Sequence, residues 1–440
     1  MSERRSRGGR IDPARLAALE VLKAVRVDDA YANLALPRVL AEHGLSGRDA
    51  AFATELVSGT IRLQGTYDAI IDACLTKPRL EAKVRDVLRL GAHQLLSMRV
   101  PDHAAISSSV ELARARIGVG PVGLVNAVLR KVAAHDLDGW IRRVAPDPGS
   151  DPFGYAAVAH SHPRWVVEEL ADALASAVQL EDLLAADNAP PRVVLVARPG
   201  LATVEELVAA GGTASTRSPY AVELGAGGDP ATIPAVAEGR AGVQDEGSQL
   251  VALALAGAEL EGRDERWLDV CAGPGGKSAL LAALAAQRGA RLLANERQHH
   301  RARLVVRGSR AAAEGLAGVV TGDGTRPPWR DGTFDRVLVD APCSGLGALR
   351  RRPESRWRRT LADLDALVPL QRDLLGHALD AVRPGGVVVY ATCSPVLAET
   401  SEVVESVVGS RDDTTVVATQ QLWPHRDGTD AMFIATMRRG

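Results

Sequence analysis

The sequence predicts a multidomain chain: an all-α N-terminal domain at residues 1–145, a small α/β subdomain at 156–235 and a C-terminal doubly wound α/β domain at 236–440. Three observations carry that reading. Apolar residues recur at helical spacing from about 12 to 140; a stretch rich in proline and glycine follows at 144–155; and from about 240 short apolar runs alternate with helical ones.

In the first region Leu16, Leu19, Leu22 and Val25 fall on one helical face, as do Val84, Leu88, Gly91 and Leu95, and Leu124, Val125, Val128 and Leu129. Pro13, Pro37, Pro78, Pro101 and Pro121 are expected between these runs, because proline lacks the N–H that a helix interior needs. The segment VAPDPGSDPFGY has the composition of a linker and sets the first boundary. A helical run from Trp165 to Leu184, a strand at 193–197 and a helix near Val204 to Ala210 make up the middle subdomain. Further on, strands are expected at WLDVCA, RLLANE, GVVTGD, FDRVLVD and GGVVVYATC, with helices at Lys277–Gln287, Gln298–Ala313 and Asp363–Val382, and late strands at TTVVAT and MFIATM. Apolar strands separated by helices imply a parallel sheet covered on both faces.

At 440 residues and 46% hydrophobic, the chain can build more than one core. Its four cysteines, at 74, 271, 343 and 393, have no CxxC spacing, which argues against a disulfide framework or a zinc site and favours a reduced, cytoplasmic setting. Charges interrupt every long apolar run, so no membrane span is expected. The opening MSERRSRGGR reads as a basic, disordered tail without a signal-peptide core. A net charge of −2 leaves room only for local basic patches. One candidate holds Arg297, Arg301, Arg303, Arg307 and Arg310; another crowds Arg350, Arg351, Arg352, Arg356, Arg358 and Arg359 around Trp357, where stacking and phosphate contacts are expected.

The chemistry gathers at strand ends. DVCAGPGGKS places glycines 273, 275 and 276 before a helix, where a loop without Cβ atoms and the free N–H groups of a helix start suit a small, partly anionic ligand. Glu296 ends the next strand, where a carboxylate can accept hydrogen bonds from ribose hydroxyls, and Asp323 ends the third. GxGxxG spacing is missing, which disfavours a nicotinamide-dependent dehydrogenase. Cys343 in DAPCSGLG and Cys393 in YATCSP each follow a strand, and if those strands are neighbours both thiols reach one crevice. Cys74 reads as a small buried hydrophobe.

DVCAGPGGKS, DAPCSGLG, YATCSP, QDEGSQL and GTDAMF together resemble the RNA 5-methylcytosine methyltransferases of the Sun/Fmu and Nop2/NSUN group. AFATELVSGTIR, VRDVLRLGAHQLL and GLVNAVLRKV resemble the NusB-like domain of its bacterial members, so the likeness spans nearly the whole chain in one order. The resemblance implies a Rossmann-like catalytic domain, S-adenosyl-L-methionine as cofactor, 16S ribosomal RNA as partner, and neither metal nor membrane. It implies cofactor contacts from Cys271, Ala272, Gly273, Pro274, Gly275, Gly276, Lys277, Glu296, Asp323 and Asp340, with Cys393 as nucleophile and Cys343 as the second cysteine that assists release. Asp340 and Lys277 are expected to act at the base as well, on ring nitrogen 3 and the exocyclic oxygen. Some positions depart from the pattern: Gly273 stands where alanine is usual, Leu346 where threonine is common, Gly247 where serine is common, and LVAR at 195–198 replaces a more typical Arg-Val-Asn, which bears on how the middle subdomain meets RNA. A noncatalytic RNA-binding or antitermination factor is the rival reading, favoured by the NusB-like region and opposed by two intact cysteine motifs.

Overall fold

The structure, a computed structural model, describes residues 11–77, 79–225 and 229–440; the basic N-terminal tail expected to be disordered lies outside the described residues. The chain divides into two compact units. The first holds residues up to Ala171, Ser176–Asn188 and Arg351–Arg358; the second holds Asp172–Ala175, Ala189–Arg350 and Arg359–Gly440.

In the first unit eight helices run from Pro13–Val27 to Leu137–Val144. The first begins as its sequence dictates: Pro13 occupies the first turn and the Asp12 carboxylate accepts a hydrogen bond from the Arg15 N–H. Ala17, Val21, Leu56, Val57, Ile70, Leu88 and Leu129 are buried in one apolar core. Pro37 departs from expectation, since it lies inside the helix Ala32–Glu42 rather than between helices. The expected linker is also partly helical, because Asp151 caps the helix Pro152–Ala159 through the Gly154 N–H. That helix and Ala177–Asp187 both fall in the first unit, so the contact boundary lies near residue 188 rather than at 144–155. The helical run expected from Trp165 to Leu184 is two helices, Arg164–Leu174 and Ala177–Asp187, broken where Ala175 adopts a φ of 50°.

The second unit contains two sheets. β1 (Val194–Ala197), β2 (Gly212–Ala214), β3 (Ala221–Leu224) and β4 (Ala241–Val243) form a small antiparallel sheet in the order β2-β3-β1-β4. The larger sheet has seven strands: β5 (Arg266–Asp269), β6 (Arg291–Asn295), β7 (Leu316–Val320), β8 (Phe334–Asp340), β9 (Val382–Thr392), β10 (Thr414–Gln421) and β11 (Phe433–Arg439). Their order is β10-β11-β9-β8-β5-β6-β7. β5 to β9 are parallel, whereas β11 pairs antiparallel with β9 and β10 with β11, which corrects a wholly parallel expectation. The reason is the connection: the only helix between β10 and β11 is Pro424–Asp427, too short for the crossover that parallel neighbours require.

Leu268, Val337, Val339, Leu375, Leu379 and Tyr390 belong to one apolar cluster of this unit, and Trp267, Leu280, Leu281, Leu338 and Val389 to another. The chain passes outward from β5 through β6 and β7, then restarts at β8 on the other side of β5. Ligands in such sheets bind beyond the strands' carboxyl ends at that reversal.

Candidate active site at the strand carboxyl edge

The loop after β5 is fixed from below by a buried carboxyl group. Asp269, fully buried at the strand end, accepts from the Ser278 hydroxyl at 2.7 Å and from the Cys271 N–H at 3.3 Å. Burial pushes its pKa up to about 7, helped by the nearby Asp340, although the Ser278 bond pulls the other way. Burial likewise raises the Cys271 thiol well above its ordinary range. Ala272 N–H reaches the Asn295 carbonyl at 2.8 Å, tying the loop to the end of β6.

Glu296 follows β6 directly and is 5% exposed. Its two oxygens accept the Gly273 N–H at 3.0 Å and the Gln298 N–H at 2.9 Å, while Arg301 donates to the Gly273 carbonyl. A Cβ added at Gly273 would lie 2.1 Å from the Glu296 carboxylate, a physical reason for glycine at this position. Gly275, with φ of 110°, precedes the helix Gly276–Ala286 and is the residue that turns the loop into it. Pro274 and Gly276 are exposed on the same loop. Asp323 lies three residues past β7 rather than at its end. There it accepts from the Thr325 N–H and hydroxyl, which hold its pKa below the usual range.

These residues fit S-adenosyl-L-methionine. Two carboxylates suited to hydroxyl groups stand one strand apart beside a glycine loop and an open helix start. The Gln244 side chain, whose buried Oε1 has no hydrogen-bond partner among the described residues, approaches Gly276 through its Cδ and Nε2.

β8 and β9 are neighbours, with Asp340 opposite Ala391, so the loops that leave them stand side by side. Cys343 Sγ and Cys393 Sγ are 3.4 Å apart. Lys277, in the first turn of the helix after the glycine loop, reaches Asp340 at 2.8 Å. Burial alone would lower the lysine's pKa, but the charges of Asp340, Cys393 and Asp269 more than offset it and raise the value. Its ammonium is therefore a stable positive charge within reach of Cys393. The Cys343 thiol is pushed well above its ordinary range, first by donating toward Cys393 and then by burial, with the Glu399 charge adding to the effect.

Part of the site escaped sequence reasoning. Glu399, fully buried, accepts the Ser344 N–H at 2.7 Å and the Ser344 hydroxyl at 2.5 Å. Its only sequence signal is a carboxylate six residues after Cys393 in a run otherwise suited to a helix start.

The arginine segment is a correction. Arg356 is fully buried, donating to the Ser161 carbonyl, Asn188 Oδ1 and the Asp187 carbonyl, and Arg358 donates to the carbonyls of Val25, Asp29 and Ala30. Trp357 packs so closely on Gly65 that a Cβ there would lie 2.3 Å from its ring. Arg350 is buried too, donating to the Gly428 carbonyl. These side chains serve the fold rather than a solvated RNA surface. Residues 195–197 are likewise interior, and Arg198 donates to the carbonyls of Gly239 and Gly308. Arg297, Arg303, Arg307 and Arg310 are exposed around the helix His299–Gly308, which falls within the helix expected at Gln298–Ala313.

A family model for the 16S rRNA methyltransferase RsmB/F matches residues 258–438, and a NusB family model matches 12–134. A Bacillus subtilis protein named probable ribosomal RNA small subunit methyltransferase B is 31% identical over 96% of this chain and 98% of its own. The chain belongs to the RsmB/F methyltransferase family. A Mycobacterium tuberculosis protein carrying a methyltransferase name is 51% identical to this RsmB/F chain over 99% of both. The crystal structure of PH0851 superposes with a TM-score of 0.81 at 21% identity, covering 98% of this chain and 99% of its own, which shows that the fold is shared. The NusB match lies within the helical unit, and the RsmB/F match includes the glycine loop, Glu296, Asp323, Asp340, Cys343 and Cys393. Among the described residues no helix is long and apolar enough to cross a membrane.

Proposed function

We propose that this RsmB/F chain methylates carbon 5 of a cytosine in 16S ribosomal RNA, using S-adenosyl-L-methionine, through a covalent Cys393 adduct that Cys343 helps to release. The observation that carries the reading is the pair of thiols at 3.4 Å beside the Lys277–Asp340 ion pair. The family description and the names of the relatives support the RNA substrate.

Carbon 5 of cytosine is a poor nucleophile, and a thiolate adding at carbon 6 pushes electron density onto it. When bound, S-adenosyl-L-methionine supplies an electrophilic methyl group. Two thiols this close do not both ionise, and the surroundings decide which one does. Lys277 favours a negative Cys393, whereas Glu399 disfavours a negative Cys343. Cys393 is therefore the nucleophile and Cys343 holds the proton. Once Cys393 is a thioether its charge is gone, so Cys343 loses the neighbour that kept it protonated. Cys343 then gives its proton to solvent and, as a thiolate, takes the proton from carbon 5; the double bond reforms and the bond from carbon 6 to sulfur breaks, Cys393 leaving as a thiolate. Asp340 and Lys277 hold the base edge, with Glu296 and Asp323 on the cofactor's hydroxyl groups and residues 271–276 around its methionine end.

Bisulfite sequencing of 16S ribosomal RNA from cells with and without the gene tests the substrate. One protected cytosine should become convertible in the deletion. An unchanged pattern removes the assignment.

A further inference from the structure

Beneath the thiol pair lies a buried polar knot that the reaction as described does not use. Gln371 Nε2 donates to the Pro342 carbonyl at 2.8 Å and to Glu399 at 3.1 Å, so the residue before Cys343 is held. The Ser344 N–H and hydroxyl both reach Glu399, so the residue after Cys343 is held as well. Ser344 Oγ is 3.1 Å from the hydroxyl of Ser394, the residue after Cys393. Tyr390 donates its hydroxyl to the Glu399 carbonyl at 2.8 Å, anchoring this centre to β9. One carboxylate thus joins both flanks of Cys343 and, through a single hydroxyl, the flank of Cys393.

A buried carboxylate with three donors is costly to assemble and is not needed merely to close a turn. We propose that Glu399 is a positioning residue for adduct release: it holds the loop Pro342–Ser344 so that Cys343 faces the Cys393 sulfur, with its own negative charge beside that thiol. This rests on the covalent reading above. The charged and titratable groups that act on the Cys343 thiol are Cys393 and Glu399, with the Tyr390 hydroxyl packed close by.

The test compares Glu399→Gln and Ser344→Ala in the full chain, using a 16S ribosomal RNA transcript and S-adenosyl-L-methionine. In both variants release of the covalent complex should slow by about 10- to 100-fold, the scale expected when a reacting group is displaced by about 1 Å. Adduct formation and the KM for RNA should stay near wild type. The second readout needs no turnover: the pH profile of iodoacetamide alkylation of Cys343 in a Cys393→Ser background. Glu399→Gln should move its midpoint to lower pH, because a negative charge is lost, whereas Ser344→Ala, which keeps the charge, should leave it in place. Should Glu399→Gln misfold, slow release in Ser344→Ala still supports the loop-holding role. Release at the wild-type rate in both variants, with the adduct trapped in Cys343→Ala, overturns the inference alone. No adduct in Cys343→Ala overturns the covalent reading, and the inference with it.

Discussion

The thiol loops and the arginine segment are adjacent in sequence and equally rich in reactive or charged side chains, yet the fold uses them in opposite ways. Cys343 and Cys393 stand at an open strand edge, whereas Arg356, thirteen residues beyond Cys343, is fully buried in the helical unit. The difference teaches that position relative to an element, rather than side-chain type, makes chemistry legible. In a parallel sheet every strand delivers its carboxyl end to the same edge, so a cysteine just past such an end is placed by topology. A segment between elements goes wherever partners far off in sequence take it. For Arg356 those partners are Ser161, Asp187 and Asn188.

The largest effect should come from the thiols. Cys393→Ala should abolish both methylation and the covalent complex, while Cys343→Ala should leave protein joined to RNA, seen as a slow band on a denaturing gel that needs RNA and S-adenosyl-L-methionine. If Cys393→Ala were the variant that traps RNA, the two roles would be reversed and the topological argument would place the thiols correctly but misassign them. At the other region, Arg356→Ala should cost the first unit about 2–4 kcal/mol, since three buried acceptors lose their donor. Denaturant unfolding would measure it, and a loss below roughly 0.5 kcal/mol, the scale of a surface change, would return the segment to the surface.

The site also carries a pH signature at Asp269. Asp269 in the folded chain keeps its proton up to about pH 7, whereas an unfolded aspartate releases it near 3.9. The folded state therefore binds the extra proton, and the stability it contributes is full below about pH 4 and lost as pH rises through 7. Relative to Asp269→Asn, the wild type should lose about 2–4 kcal/mol across that window. Parallel stability curves would show that the carboxyl group is ionised throughout. Glu296→Ala should weaken S-adenosyl-L-methionine by about 1–3 kcal/mol in calorimetry, through lost charge-assisted bonds; unchanged affinity makes Glu296 a loop cap only. The smallest effect belongs to Arg352, exposed and stacked 4.7 Å from the Tyr31 ring. Arg352→Ala should change the salt slope of RNA affinity by less than about one unit, the value of one phosphate contact. A larger change would restore the RNA reading.

Much of the catalytic half was legible because its signals are local. Each strand run, the glycine turn and the acidic residue after β6 obey short-range rules, and neighbouring β8 and β9 bring the thiols together. Asp323 was misplaced by three residues because strand ends fade into their loops, and the antiparallel β11 depends on a connection whose helix proved only four residues long. Glu399 was missed since a buried carboxylate resembles an ordinary helix-start residue until its donors are known. Pro37 and the break at Ala175 show the same limit, as packing outweighed local preference.

The anchoring of residues 351–358 also imposes an order on synthesis. The helical unit emerges from the ribosome first, but Ala32 N–H lacks the Glu354 carboxylate and Ser161 lacks Arg356 until roughly 160 further residues have been made. At about 5–20 residues per second, that is a wait of roughly 8–30 s in an unfinished state. The last stitches of the first-made half are supplied by the second, so a nascent chain cut short before residue 350 leaves a helical unit that has never been complete.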